Sequence, residues 1–326
     1  MQRCRFSRVV GLVVFLSSVG SWASADPIRL DATLFGNLKQ SDVPSCPAQA
    51  CGPVAAVNSF VYLQNRYPDT YSFPPLVGID FPDGHPPALH WEIQAASILA
   101  MNTYMDTTNA MGTPIEKFIV GKYGYIEDTK PGKTVYDAQI NMEWRPEVAG
   151  TKDKPIAKPD YVHDGTAPTV AFLMKEVTDG EDVELFFDYL SGTTGSHYVT
   201  LVSIDPDAFI IEFIDPITGA VTEAGYEVTD VDVGGFLKRK FIDITYDDPR
   251  NPENSLVGRI TAAVSESPIV PEPASLILVG SGLVSVGLWR RTRGALALSS
   301  TANAPTLRCA DRGCPGTIVD LFRRSV

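Results

Sequence analysis

The 326-residue chain is poor in the residues that staple small folds or ligate metals, with five cysteines and four histidines. Cys4 lies near the start and Cys309 and Cys314 near the end, so only Cys46 and Cys51 fall in the middle stretch. Two cysteines make no disulfide framework, and a core of about 240 residues needs none. The histidines, His85, His90, His163 and His197, show no paired spacing such as H-E-x-x-H, so neither a metal nor another cofactor is expected. Nor does any segment carry the spaced acidic pattern of an EF-hand loop. Basic residues are scarce too: residues 26–273 hold 17 Lys and Arg against 37 Asp and Glu, a net charge of −20. Such acidity keeps a protein soluble and argues against nucleic acid or anionic lipid as partner. No internal repeat and no low-complexity tract is present.

What is there begins with the two ends. Arg3, Arg5 and Arg8 precede an apolar run over 9–19, and Ala23-Ser24-Ala25 precedes Asp26-Pro27. That order predicts a secretory signal peptide over 1–25, cleaved after Ala25. The alternative, an uncleaved anchor, needs a longer apolar run to cross a bilayer core of about 30 Å. Toward the other end, Val270-Pro271-Glu272-Pro273-Ala274-Ser275 leads into an apolar stretch over 276–289 containing Gly280, Gly282 and Gly287, and then Arg290-Arg291-Thr292-Arg293. This run resembles the PEP-CTERM sorting signal of Gram-negative type bacteria: a Pro-Glu-Pro motif, a short transmembrane helix and a basic stop. The resemblance implies a membrane-embedded helix with cytoplasmic arginines and processing near Pro271-Glu272-Pro273 by an exosortase-type enzyme. The protein would then be released or transferred to the cell envelope or exopolysaccharide matrix. The expected location is periplasmic, outer-surface or extracellular, with transient membrane anchorage near the C-terminus. The domains are read as 1–25 signal, 26–265 exported domain, 266–293 anchor and 294–326 a tail, either cytoplasmic or read through a lost stop.

Between the ends, apolar residues recur at helical spacing over 52–67, 88–105 and 113–123, the last with Thr113 and Pro114 as cap and first-turn residues. Residues 71–87 read as a Pro- and Gly-rich loop, and 127–165 as irregular with strands near 134–144. A further helix, capped by Thr166, is expected to end at Asp179-Gly180. Short apolar runs at 183–190, 197–204, 209–214, 221–228 and 235–246 then read as strands separated by Gly, Asp and Pro turns. Helices first and strands later is the order of an α+β domain with segregated layers.

Within this frame Cys51 stands at the start of a helix, where unpaired N–H groups and the dipole favour a thiolate. A nucleophilic thiol needs a base and a group that orients it. His197 opens an apolar strand after Gly192-Thr193-Thr194-Gly195-Ser196. If Asp205-Pro206-Asp207 is a three-residue hairpin loop, Ile204 pairs with Ala208 and His197 with Asp215, close enough for the carboxylate to hold the imidazole. Each residue also has a plainer reading: Cys51 as a small core residue or the disulfide partner of Cys46, His197 as a satisfied strand end, Asp215 as the start of an Asp-Pro turn.

The segments Ala50-Cys51-Gly52-Pro53-Val54-Ala55-Ala56, Gly180-Glu181-Asp182-Val183-Glu184-Leu185, Ser196-His197-Tyr198-Val199-Thr200-Leu201-Val202 and Ile214-Asp215-Pro216, in this order, resemble a papain-like cysteine peptidase of the bacteriocin-leader-peptidase type. The resemblance implies a papain-like α+β fold, a helical layer carrying the cysteine on an antiparallel sheet carrying the histidine and aspartate. It implies Cys51 as nucleophile, His197 as general base and acid, Asp215 as orienter, and a peptide or protein substrate. The family's upstream oxyanion-hole Gln is replaced here by Ser45. Gln49 is the candidate donor and Gln40 the other nearby amide; Cys46 is a candidate redox partner of Cys51. Tyr198 stands where the family more often has a small residue. The competing expectation is a non-catalytic matrix or binding protein on a peptidase-like fold.

Overall fold

The apolar run that begins at Cys51 forms α1 (Cys51–Arg66) in the computed structural model of the protein, which describes residues 27–78, 89–233 and 238–269. The chain divides into two units, Met1–Ile269 and Val270–Val326. The segment expected to be a signal peptide, the Pro-Glu-Pro segment, its apolar run and the tail, with Cys4, Cys309 and Cys314, lie outside the described residues. Every residue of α1 from Cys51 to Gln64 is buried, as expected for a helix that is small or apolar on all faces. Its internal polar groups are spoken for. Asn58 accepts from Leu38 N–H at 2.9 Å, Ser59 donates to Asp182, and the Ala55 carbonyl accepts from Thr200 Oγ1 at 3.0 Å.

The remaining helices are α2 (Pro68–Tyr71), α3 (Leu89–Leu99), α4 (Ile115–Thr129), α5 (Pro146–Ala149) and α6 (Val170–Asp179). Pro114, not Thr113, caps α4. Thr169, not Thr166, caps α6, its Oγ1 accepting from Phe172 N–H at 3.1 Å. The reason is Pro168, which disfavours helical geometry in the residue before it and postpones the start of the helix.

The strands are β1 (Ile28–Arg29), β2 (Thr134–Ile140), β3 (Val162–Asp164), β4 (Asp182–Ser191), β5 (Ser196–Asp205), β6 (Ile210–Asp215), β7 (Ala220–Asp232), β8 (Lys238–Asp248) and β9 (Asn251–Pro268). β5 through β9 pair antiparallel in sequence order, and β4 joins both β5 and β9. Six strands therefore close on themselves into an antiparallel barrel. β2 extends it from the far half of β9, with β3 beside β2, while β1 adds to β5.

This corrects the expectation of a papain-like α+β fold with a helical layer on an antiparallel sheet. The molecule is mostly antiparallel sheet, the sheet is a closed barrel, and the helices are few, two of them only four residues long. Besides the short β1 and β3, the strand that the sequence reading overlooked is β9. From Ala262 to Ser265 it is buried at every position, so it shows no period-2 alternation, and its first five residues, Pro252 among them, are all exposed. Register shifts in β4 at Phe186/Phe187 and Tyr189/Ser191 bend that strand against β9, the usual device for curving a sheet toward closure.

Candidate active site

The N-terminus of α1 is uncapped by any side chain, Ala50 being its N-cap. Pro53 has no N–H and the Gly52 N–H bonds the Cys51 sulfur, so the first-turn donor without a helical partner is the Cys51 N–H. Cys51 is buried, and burial pushes its thiol up. The hydrogen bond and charge of His197, with backbone bonds at Tyr198 and Gly52, outweigh that and hold the thiol below its ordinary value. His197 shows the mirror image. Burial pushes its imidazole down, but the Asp215 charge and hydrogen bond, helped by Cys51, raise it well above the usual histidine range. The pair is thereby biased toward thiolate and imidazolium.

Asp215 is fully buried, and its Oδ1 lies 2.9 Å from His197 Nε2 while also accepting the Ile217 N–H at 2.8 Å. Its Oδ2 has no partner among the described residues. Structure brings His197 and Asp215 together by a route the sequence arithmetic missed. The turn after β5 has four residues, since Asp205 pairs with Ile210, and a register shift follows between Leu201 and Ser203. From there Thr200 opposes Ile214, so Asp215 stands diagonal to His197 on one face and the two side chains bridge the offset. Asp205 Oδ1 accepts from Asp207 and Ala208 N–H, both at 2.9 Å, and Phe209 takes a φ of 56° to complete the turn. The Asp215 end is fixed from outside: Pro216 O accepts Gln40 N–H at 2.7 Å, and Gly219 (φ 68°) sits so close to Asn37 O that a Cβ would lie 2.3 Å from it.

Around the imidazole, Phe187 meets it edge-on at 5.6 Å and Tyr189 lies nearly parallel at 6.3 Å, with Tyr189 bonded to Tyr246 through their hydroxyls at 3.1 Å. Tyr198, on the other face of β5, stacks on Phe118 and donates to Thr113 O at 3.0 Å. It thus ties the loop before α4 to the strand bearing His197. Cys51 and His197 line a cleft of about 290 Å³ whose walls include Met111 to Thr113 and Thr193 to Ser196. Gln49 and Gln40 both line it. Cys46 is a buried free thiol, as is Cys51, with Ser45 Oγ 3.6 Å from its Sγ; burial raises it above the ordinary thiol value.

The other sequence candidates lie elsewhere. His163 pairs with Asp137 at 3.4 Å, His90 packs on Trp91, and His85 is outside the described residues. Trp144 donates to Ile156 O, and Tyr161 packs with Tyr123 and Tyr136. A second cluster escaped sequence reasoning altogether. Asp182, Glu184 and Glu266 place carboxylate oxygens within 4.8 Å of one another, fully buried. The buried Lys122 ammonium lies among them, contacting Glu184 and Glu266 and standing 3.7 Å from Asp182, so the positive charge a metal would bring is supplied by the chain. Its only sequence signal was acidic residues inside apolar strands.

No curated protein matches the chain. Residues 270–291 match the PEP-CTERM protein-sorting motif; the papain-like resemblance has no counterpart among the family matches. Among the described residues no helix is long and apolar enough to cross a membrane, and the anchor expected over 276–289 falls outside them. The chain is an exported protein that carries an exosortase sorting signal and is anchored transiently in the membrane through the segment near its C-terminus.

Proposed function

We propose that this exported protein is a cysteine-dependent acyl-transfer enzyme, a peptidase acting on a peptide or protein substrate at the cell surface. The observation that supports it most is the chain of contacts from the Cys51 thiol through His197 to the buried Asp215, on the wall of an open cleft. In this reading the Cys51 thiolate attacks the substrate carbonyl carbon. The oxyanion that forms is met by the Cys51 N–H at the start of α1 and by the Gln49 or Gln40 amide. Imidazolium His197 then gives its proton to the leaving amine as the C–N bond breaks, leaving a thioester on Cys51. Water attacks the thioester with its proton passing to His197, the acid product departs, and the thiolate–imidazolium pair returns. Asp215 holds the ring in place and stabilises its charge throughout.

Alkylation of Cys51 by iodoacetamide, followed across pH on the reduced full chain and located by mass spectrometry, tests this reading. A Cys51 rate that persists well below the ordinary thiol range, with peptide hydrolysis lost in Cys51→Ala, is the expected result. Labelling no faster than that of an unperturbed thiol overturns it. A folded Cys51→Ala protein that keeps the host phenotype would point instead to a non-catalytic binding role.

A further inference from the structure

The cleft that holds Cys51 and His197 is lined by no Asp, Glu or Lys, although the chain as a whole has 39 acidic residues. Its one charged side chain besides His197 is Arg250, from the turn between β8 and β9. That turn is fixed by its own backbone, Arg250 N–H donating to Asp248 Oδ1 at 2.9 Å. The Gly192-to-Gly195 loop, which forms one wall, packs against Leu256 at the start of β9, so the hairpin and the wall are brought to the same rim.

What sets Arg250 apart is its lack of a partner. Arg29, Arg145 and Arg259 pair with Glu212, Glu116 and Asp243, Arg239 bonds Asn141, and Arg66 lies over the Tyr67 ring. The Arg250 guanidinium alone among the described arginines makes no hydrogen bond, ion pair or ring contact. In so acidic a protein, an unpaired guanidinium at the edge of a cleft cleared of carboxylates is a receptor for a carboxylate brought from outside. Resting on the catalytic reading of Cys51, we infer that the enzyme selects peptides bearing a carboxylate near the scissile bond, and that Arg250 is the specificity-determining residue. The carboxylate is either an Asp or Glu side chain or a free C-terminus.

The full chain, reduced, is treated with iodoacetate and with iodoacetamide, and the Cys51 alkylation rate is read by mass spectrometry for each. These reagents differ in one carboxylate. In Arg250→Gln the iodoacetate-to-iodoacetamide ratio falls about two- to fivefold, the weight of one exposed charge. It falls further in Arg250→Glu and is restored in Arg250→Lys. An unchanged ratio with Cys51 still reactive overturns the role of Arg250 and leaves the catalytic reading standing; a Cys51 unreactive to both reagents removes both. Two blocked peptides then identify the source, one with an internal Glu and an amidated end, the other with no acidic side chain and a free carboxylate. The one that protects Cys51, and ceases to do so in Arg250→Gln, carries the recognised group; protection by neither overturns the inference.

Discussion

At the residue scale, the proposed reactivity of Cys51 rests on the buried Asp215 carboxylate. Burial alone would leave His197 neutral and Cys51 a thiol; the Asp215 charge reverses the first and, through His197, the second. Asp215→Asn keeps an oxygen to accept from Ile217 N–H and His197, so the turn survives, but it removes the charge. The sign follows: His197 falls toward its ordinary range, and Cys51, losing an imidazolium partner, rises. The pH profile of Cys51 alkylation is therefore expected to move upward, with a loss of about tenfold at pH 6, a shift of about one pH unit. Measuring the rate from pH 5 to 9 in both proteins checks this. An unmoved profile would show that the Asp215 carboxylate has no hold on the pair.

At the element scale, the closure of the barrel depends on β9 lying flat against β4, and one glycine makes the fit. A Cβ on Gly258 would stand 2.5 Å from Cδ2 of Phe187, which is fully buried and meets His197 edge-on. Gly258→Ala must displace that ring. The expected cost is about 1–3 kcal/mol, as for other overpacked cores, together with slower Cys51 alkylation because the ring presses on the imidazole. Urea denaturation gives the first and the iodoacetamide rate the second; a variant as stable as the parent would mean that β4 and β9 have slack. The same strands show what could be read in advance. α1, α3, α4, α6 and the strands β4 to β8 announced themselves through local period, because each buries one face or is apolar throughout. β9 did not: small residues and a buried glutamate carry no period, and pairing with β8, β4 and β2 along its length is a tertiary fact. Residue types and chain order singled out Cys51, His197 and Asp215, but the offset between the last two arose from a four-residue turn and a register shift that no propensity encodes. Arg250 was invisible for the same reason, since only the β8–β9 turn brings it to the cleft.

At the scale of the whole molecule, helices and barrel meet over a buried charge cluster. Lys122 comes from α4, Ser59 from α1, Asp182 and Glu184 from β4, and Glu266 from β9. Three carboxylates and one ammonium cannot all be charged there without a net deficit. Burial pushes Asp182 up, raises Glu184 to about 7 and lifts Glu266 well above the carboxylate range, against the opposing pull of Lys122. A carboxyl raised in the folded state keeps its proton while the unfolded chain releases its own, so the folded state is favoured below the unfolded value and loses ground as pH climbs. For Glu184 that loss spans the interval from the ordinary glutamate value of 4.5 to about 7, and for Glu266 it continues higher. Lys122→Met removes the only cation and pushes all three groups further up. At pH 8 the variant must either bury unpaired charge or hold extra protons against the solvent, and a loss of about 3–5 kcal/mol is expected. At pH 5 Glu184 and Glu266 are largely protonated already, and a methionine beside these neutral acids costs far less. Denaturant midpoints of parent and variant at the two pH values therefore diverge at pH 8 and converge at pH 5. An equal loss at both would mean that the ammonium acts through the Phe60 and Phe118 rings it lies over, 5.9 Å from each centroid, and that its pairing with the carboxylates does not hold the helices to the barrel.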